Sequence, residues 1–135
     1  MEINSLVIIR SKWARQTEGV DKGGSMLMNS QGCLCCLGFV GRAVGIASNF
    51  LEDIGSPKDC ACEDVVGSES EVAKWPQAFA PLEEEDSLVS SKAIEINDNG
   101  VTTDAYKEAA LTTLFASVGI KLTFEDGLGD PFQLP

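Results

Sequence analysis

The chain has 135 residues, 44% of them apolar, with 10 Lys and Arg against 21 Asp and Glu, five cysteines and no histidine. That length and apolar content fit one globular domain, and exclude a disordered chain. A formal net charge of −11 opposes phosphate binding, and the missing imidazole excludes Ser-His-Asp and Cys-His catalysis as well as Cys-His zinc sites.

Residues 3–10, short and rich in β-branched side chains, predict a first strand. Residues 11–24 are polar with three glycines and read as a loop. A hairpin is expected over 25–37, with Met26-Leu27-Met28 and Cys33-Leu34-Cys35 flanking the turn residues Asn29-Ser30-Gln31-Gly32. From Cys36 the period changes. Cys36, Phe39, Val40, Ala43, Val44, Ala47 and Phe50 recur at steps of three and four, one apolar face of a helix ending near Asn49 or extending to Asp53. Gly38, Gly41 and Gly45 each cost that helix about 1 kcal/mol relative to alanine, so it is expected to be central and buried, with another backbone close against it.

Residues 55–81 form the least regular stretch, and the acidic run Glu83-Glu84-Glu85-Asp86 is expected to be a solvated loop or helix start. Asp86 or Ser87 can cap a helix whose apolar positions are Val89, Ala93 and Ile96. Asn97-Asp98-Asn99-Gly100 is a turn signal. Thr102 or Thr103 then caps the clearest helix, with Asp104 favourable at its positive end. Its expected apolar stripe is Tyr106, Ala110, Leu114 and Val118, flanked by Leu111 and Phe115. Gly119 fits a left-handed stop. Residues 120–125 alternate as an edge or half-buried strand, and 126–135 form a turn-rich tail. The order predicts a single α+β domain over 1–135, a short antiparallel sheet packed on a central glycine-rich helix and a C-terminal helix.

Charge is unevenly placed. Residues 1–48 carry a net +2 and residues 49–135 a net −13, so direct nucleic-acid binding is not expected. Arg10, Lys12 and Arg15 around Trp13 make either a small basic-aromatic patch or, more simply, a solvated strand end with one core tryptophan. Asp98 can pair with Arg10, Arg15 or Lys12 across the fold. The longest uncharged stretch, residues 23–41, holds five glycines and cannot span a bilayer. Met1-Glu2-Ile3-Asn4 lacks the basic and apolar parts of a signal peptide, so a cytoplasmic protein without membrane partners is expected. Phosphate-loop motifs and a calcium-loop spacing are absent, and no cofactor is expected.

The cysteines allow three readings. Cys33, Cys35 and Cys36 with Cys60 and Cys62 can supply thiolates to zinc, although neither cluster has the usual spacing. Cys35 or Cys36 at a helix start would have its thiolate stabilised by the helix N-terminus, the placement that cysteine nucleophiles use. The simplest reading is buried thiols acting as small hydrophobes. A disulfide framework is not expected from an odd count without a secretory signal.

Several segments together resemble a family of small uncharacterised phage, prophage and bacterial proteins. They are Arg10-Ser11-Lys12-Trp13, Gly24-Ser25-Met26-Leu27, Gly32 with Cys35-Cys36-Leu37-Gly38-Phe39, Ile96-Asn97-Asp98, Leu114-Phe115 and Gly119-Ile120. The similarity covers both ends of the chain and skips residues 55–90. Cys33, Cys60 and Cys62 fall outside its pattern. The resemblance implies a mobile-element setting and no particular chemistry. It places any ligand or partner site around Cys35, Cys36, Asn97 and Asp98, with Arg10 and Trp13 beside them; Arg15 is a further candidate, for a small-molecule pocket near Trp13, Arg10 and Asn97. The expectation is a non-enzymatic interaction protein in the host cytoplasm that binds a host protein, a defence component among the candidates. A small-molecule, nucleotide-like sequestering module and a cysteine enzyme using Cys35 or Cys36 are the alternatives.

Overall fold

In chain order the elements are β1 (Ser5–Ile9), β2 (Arg15–Thr17), β3 (Val20–Lys22), α1 (Cys36–Ala43), α2 (Pro57–Cys62), α3 (Ser68–Val72), α4 (Leu88–Asp98), α5 (Asp104–Ala116) and β4 (Lys121–Glu125). This computed structural model describes residues 2–17, 20–22, 26–62, 68–82 and 85–126. The aliphatic run at the start becomes β1, with Leu6, Ile8 and Ile9 buried. Its neighbour is β4, whose Leu122 is buried between exposed Lys121 and Thr123.

The two strands run parallel, Ser5 opposite Lys121 and Ile9 opposite Glu125. The α+β class is therefore as expected, whereas the antiparallel sheet is corrected to a parallel pair. Side-chain alternation tells which residues face inward, not the direction of the neighbouring strand. An antiparallel pair does exist, β2 with β3, but it lies where a loop was expected. A single turn of 3-10 helix at Arg10–Lys12 precedes it.

The expected hairpin over 25–37 is reduced to one antiparallel bridge, Met28 with Leu34. The Asn29 side chain organises the intervening turn by accepting from the Gln31 and Cys33 N–H groups. Leu34 also bridges to Trp13, and Met28 to Glu52. The segment is thus a crossing point of several chain sections, which breaks a regular two-stranded ribbon.

The glycine-rich helix is α1, packed on β1 and α4. It stops at Ala43, well before Asn49, because Gly45 takes a left-handed φ of 89°. Ala43 is consequently exposed, while Cys36, Phe39 and Val40 are buried. The expected close backbone is that of Leu27: a Cβ added to Gly38 would lie 1.9 Å from the Leu27 carbonyl oxygen. The described residues of the 55–81 stretch hold α2 and α3 and contribute Cys60, Trp75 and Phe79 to the core.

Ser87 caps α4 by accepting from the Ser90 N–H, and Thr103 caps α5 by accepting from the Tyr106 N–H. Gly119 has the expected left-handed conformation, φ 82°. The buried line of α5 is displaced by one residue from the expected stripe. It is Lys107, Leu111 and Phe115, and Tyr106 is 59% exposed. Phe115 meets Phe79 with ring centroids 5.2 Å apart, and Lys107 is drawn inward by carbonyls at the end of α4. Glu83, Glu84 and the tail beyond Asp126 lie outside the described residues.

Gly38→Ala is expected to destabilise the fold by at least about 3 kcal/mol, since the opposing atom is backbone and cannot rotate away. Gly100→Ala, with nothing within 4 Å of the new Cβ, is expected to be near neutral. Urea midpoints of the two variants against the parent check the contrast.

Candidate functional site

The end of α4 carries Asn97 into the interior, where its side chain is fully buried. Its Oδ1 accepts from the Trp13 indole Nε1 at 2.7 Å and from the Cys36 backbone N–H at 3.1 Å. Its Nδ2 donates to the Ala14 carbonyl at 3.0 Å and to Asp98 Oδ1 at 2.9 Å. An amide has two acceptor positions and two donors, so all four are used. The partners also fix its orientation: two N–H groups face the oxygen, and two oxygens face the nitrogen. Asn97 and Asp98 belong to the last turn of α4, not to the turn that follows, which begins at Asn99.

The bond to Cys36 has a local reason. The first N–H groups of a helix lack intrahelical partners, and the residue before α1, Cys35, offers no side-chain cap. Asn97 supplies that acceptor from 61 residues away. The C-terminal end of α4, the end that carries Asn97, is treated similarly by Lys107. Its ammonium donates to the Ile96 carbonyl at 3.0 Å, to the Asn99 carbonyl and to Thr102 Oγ1 at 2.6 Å. Burial lowers the Lys107 pKa, with Asp104 and Asp98 acting to raise it and Arg15 to lower it.

Two arginines flank the tryptophan. Arg15 is buried, stacks over the Trp13 ring at 4.3 Å and donates to the Trp13 carbonyl at 2.6 Å. Its other nitrogens form a two-point pair with Asp104, at 3.1 and 2.9 Å. Arg10 makes the same kind of pair with Glu108, at 2.8 and 2.7 Å, and reaches Asp126 at 3.0 Å. Phe124 lies between these groups, 5.1 Å from the Trp13 ring and 5.9 Å from the Arg10 guanidinium. From sequence Asp104 is expected only as a favourable charge at the start of its helix, and neither it nor Glu108 as an arginine partner. A spacing of four along an acidic helix face was the available signal, as Asp104 and Glu108 present the same side.

Arg10, Trp13, Arg15, Cys35, Cys36, Asn97 and Asp98 are thus brought together, five of them buried and Arg10 and Asp98 half-buried at the rim. Trp13, Cys35, Cys36 and Asn97 are each at most 4% exposed. The basic-aromatic group is accordingly a stacked, internally paired unit and not an open patch. Cys35 does sit at the start of α1, the position expected of an activated thiol, but burial pushes its pKa up to about 12. Cys36 is also raised by burial, with neighbouring Cys35 and Asp98 adding to it, and its Sγ lies 3.6 Å from the Ala93 carbonyl. Desolvation outweighs the helix N-terminus here, and both thiols are protonated at neutral pH. Among the described residues Cys33, Cys35, Cys36 and Cys60 form no disulfide. Among the described residues no three Cys, Asp or Glu converge on a metal position, and no helix is long and apolar enough to cross a membrane.

The chain matches no protein-family model, no curated protein and no solved structure.

Asn97→Ala is expected to cost about 2–4 kcal/mol, because it leaves the Trp13 and Cys36 N–H groups buried without acceptors. Chemical denaturation checks the loss, and alkylation mapped by mass spectrometry should show Cys36 labelling faster than in the parent. A pH series tests the thiols. Between about pH 9 and 12 the unfolded Cys35 thiol ionises while the folded one keeps its proton, so the native state binds more protons and stability falls as pH rises. The parent should lose up to about 1.4 kcal/mol per pH unit more than Cys35→Ala over that window. Lys107, with a lowered pKa, acts in the opposite direction but equally in both proteins.

Proposed function

We propose that this is a non-enzymatic phage- or prophage-type interaction protein that works by binding a protein of the host cell, a defence component being the first class to test. The observation that carries this reading is the inward use of the polar cluster. Among the candidate residues Trp13, Arg15, Cys36 and Asn97 are buried and bonded to other parts of the fold, and the half-exposed Arg10 is already paired with Glu108 and Asp126. What the chain offers to other molecules is its exterior. That exterior combines a net charge of −11 with isolated large apolar groups, Val101 at 81% and Tyr106 at 59% exposure. These two occupy the turn before α5 and its first turn, next to Asp104. An exposed aromatic beside acidic groups suits a partner with apolar and basic chemistry. The same charge argues against direct nucleic-acid contact. A nucleotide-like ligand at Trp13 and Asn97 would have to displace hydrogen bonds that are already complete.

The test is affinity capture from host lysate with the parent protein beside Val101→Asp and Tyr106→Arg variants. Both positions are exposed, so the variants should keep the parent's denaturation midpoint. A stoichiometric host partner captured by the parent and reduced at least tenfold by either variant is the expected result. Capture of no partner, together with a retained nucleotide-sized ligand in native mass spectra, would overturn the reading.

A further inference from the structure

Among the described residues the last strand is paired along one edge only. Lys121 donates its N–H to the Asn4 carbonyl at 3.0 Å, on the β1 side. Alternate residues of a strand face the same neighbour, so the N–H and C=O groups of Leu122 and Phe124 point to the opposite side. Among the described residues no strand pairs there, since the sheet is β1 and β4 alone. No proline interrupts β4, and its outward side chains are Lys121, Thr123 and Glu125, all exposed. A groove of ≈ 380 Å³ bordered by Thr112, Ala116, Ile120 and Leu122 opens beside the start of the strand.

We propose that two copies of this chain associate through antiparallel pairing of their β4 edges, giving the strand order β1-β4-β4-β1. The sequence Lys-Leu-Thr-Phe-Glu is complementary to itself when reversed. With the twofold axis at Thr123, Lys121 of one copy faces Glu125 of the other, twice. The same register places Leu122 opposite Phe124, and these are the residues whose amides face outward. Each such couple exchanges both N–H···O=C bonds, four bonds in all. Shifting the register by two residues keeps the backbone bonds possible but sets Lys121 and Glu125 against Thr123 or beyond the strand, so charge selects the centred arrangement. A lysine on an edge ordinarily discourages pairing; here its counter-charge lies four residues along the same edge. The second copy's Phe124 also arrives beside Leu122 at the groove. The contact is short and each chain carries −11, so a weak dimer is expected, observed best at about 0.15 M salt, where long-range repulsion is screened.

Sedimentation equilibrium of the full chain across micromolar to millimolar concentration is the test. The parent should dimerise, and Lys121→Glu or Glu125→Lys should each raise the dissociation constant roughly tenfold or more by setting like charges opposite. The double exchange K121E/E125K should restore parental association. Independently, the central pair is not hydrogen-bonded, with Cα atoms about 4.5 Å apart, within disulfide reach. Thr123→Cys should therefore oxidise to a 123–123 linked dimer, and Lys121→Cys should not link to itself. A monomer at every concentration, single reversals without effect, a double exchange that fails to restore association, or an unlinked Thr123→Cys would each overturn the proposal.

Discussion

The side-chain amide of Asn97 is the constraint on which the interior depends. It joins three sections far apart in sequence: the stretch after β1 through Trp13 and Ala14, the start of α1 through Cys36, and its own helix α4. No apolar residue could replace it, because the groups it meets are N–H donors and a carbonyl that have already left water. Buried polar groups of this kind are costly when unpaired and specific when paired. The amide therefore fixes how α1 and α4 lie against each other as well as holding them together.

Around that point the molecule repeatedly repairs helix ends with side chains from elsewhere. The N-terminus of α1 uses Asn97, and the C-terminal carbonyls of α4 use Lys107. Arg15, Trp13, Phe124 and Arg10 then form a stacked column, and α5 supplies a carboxylate to each arginine. A buried guanidinium without its carboxylate would be strongly destabilising, so Asp104 is tied to the fold as closely as any apolar core residue. This explains how a chain so acidic holds its few cations: the arginines of the first segment neutralise carboxylates of the second.

Much of the fold was legible in the sequence where local chemistry decides it. Ser87 and Thr103 cap their helices, Gly119 turns the chain, and the strands at residues 5–9 and 121–125 lie where β-branched runs and alternation put them. The failures share a cause, which is long-range contact. Nothing local says that two strands run parallel, or that Gly45 ends α1 when the apolar period continues to Phe50. The stripe of α5 was misplaced by one residue because Lys107 is buried, and a lysine goes inward only when carbonyls from another element wait for it. The seven candidate site residues do converge. Their role was hidden because Asn97, in an Asn-Asp-Asn-Gly run, has the composition of an exposed turn, and only the partners at Trp13 and Cys36 reveal it as interior.

The pairing of β1 with β4 has a consequence for how the chain is made. Ser5 leaves the ribosome long before Lys121 and waits for it, so the sheet cannot close until β4 has been synthesised. Contacts so distant along the chain slow folding, and until then Leu6, Ile8 and Ile9 have no strand to lie against. A nascent or prematurely ended chain thus displays an apolar strand with a bare edge, a form that chaperones hold and proteases remove. Synthesis through β4 is in this way built into the fold as a condition for reaching it.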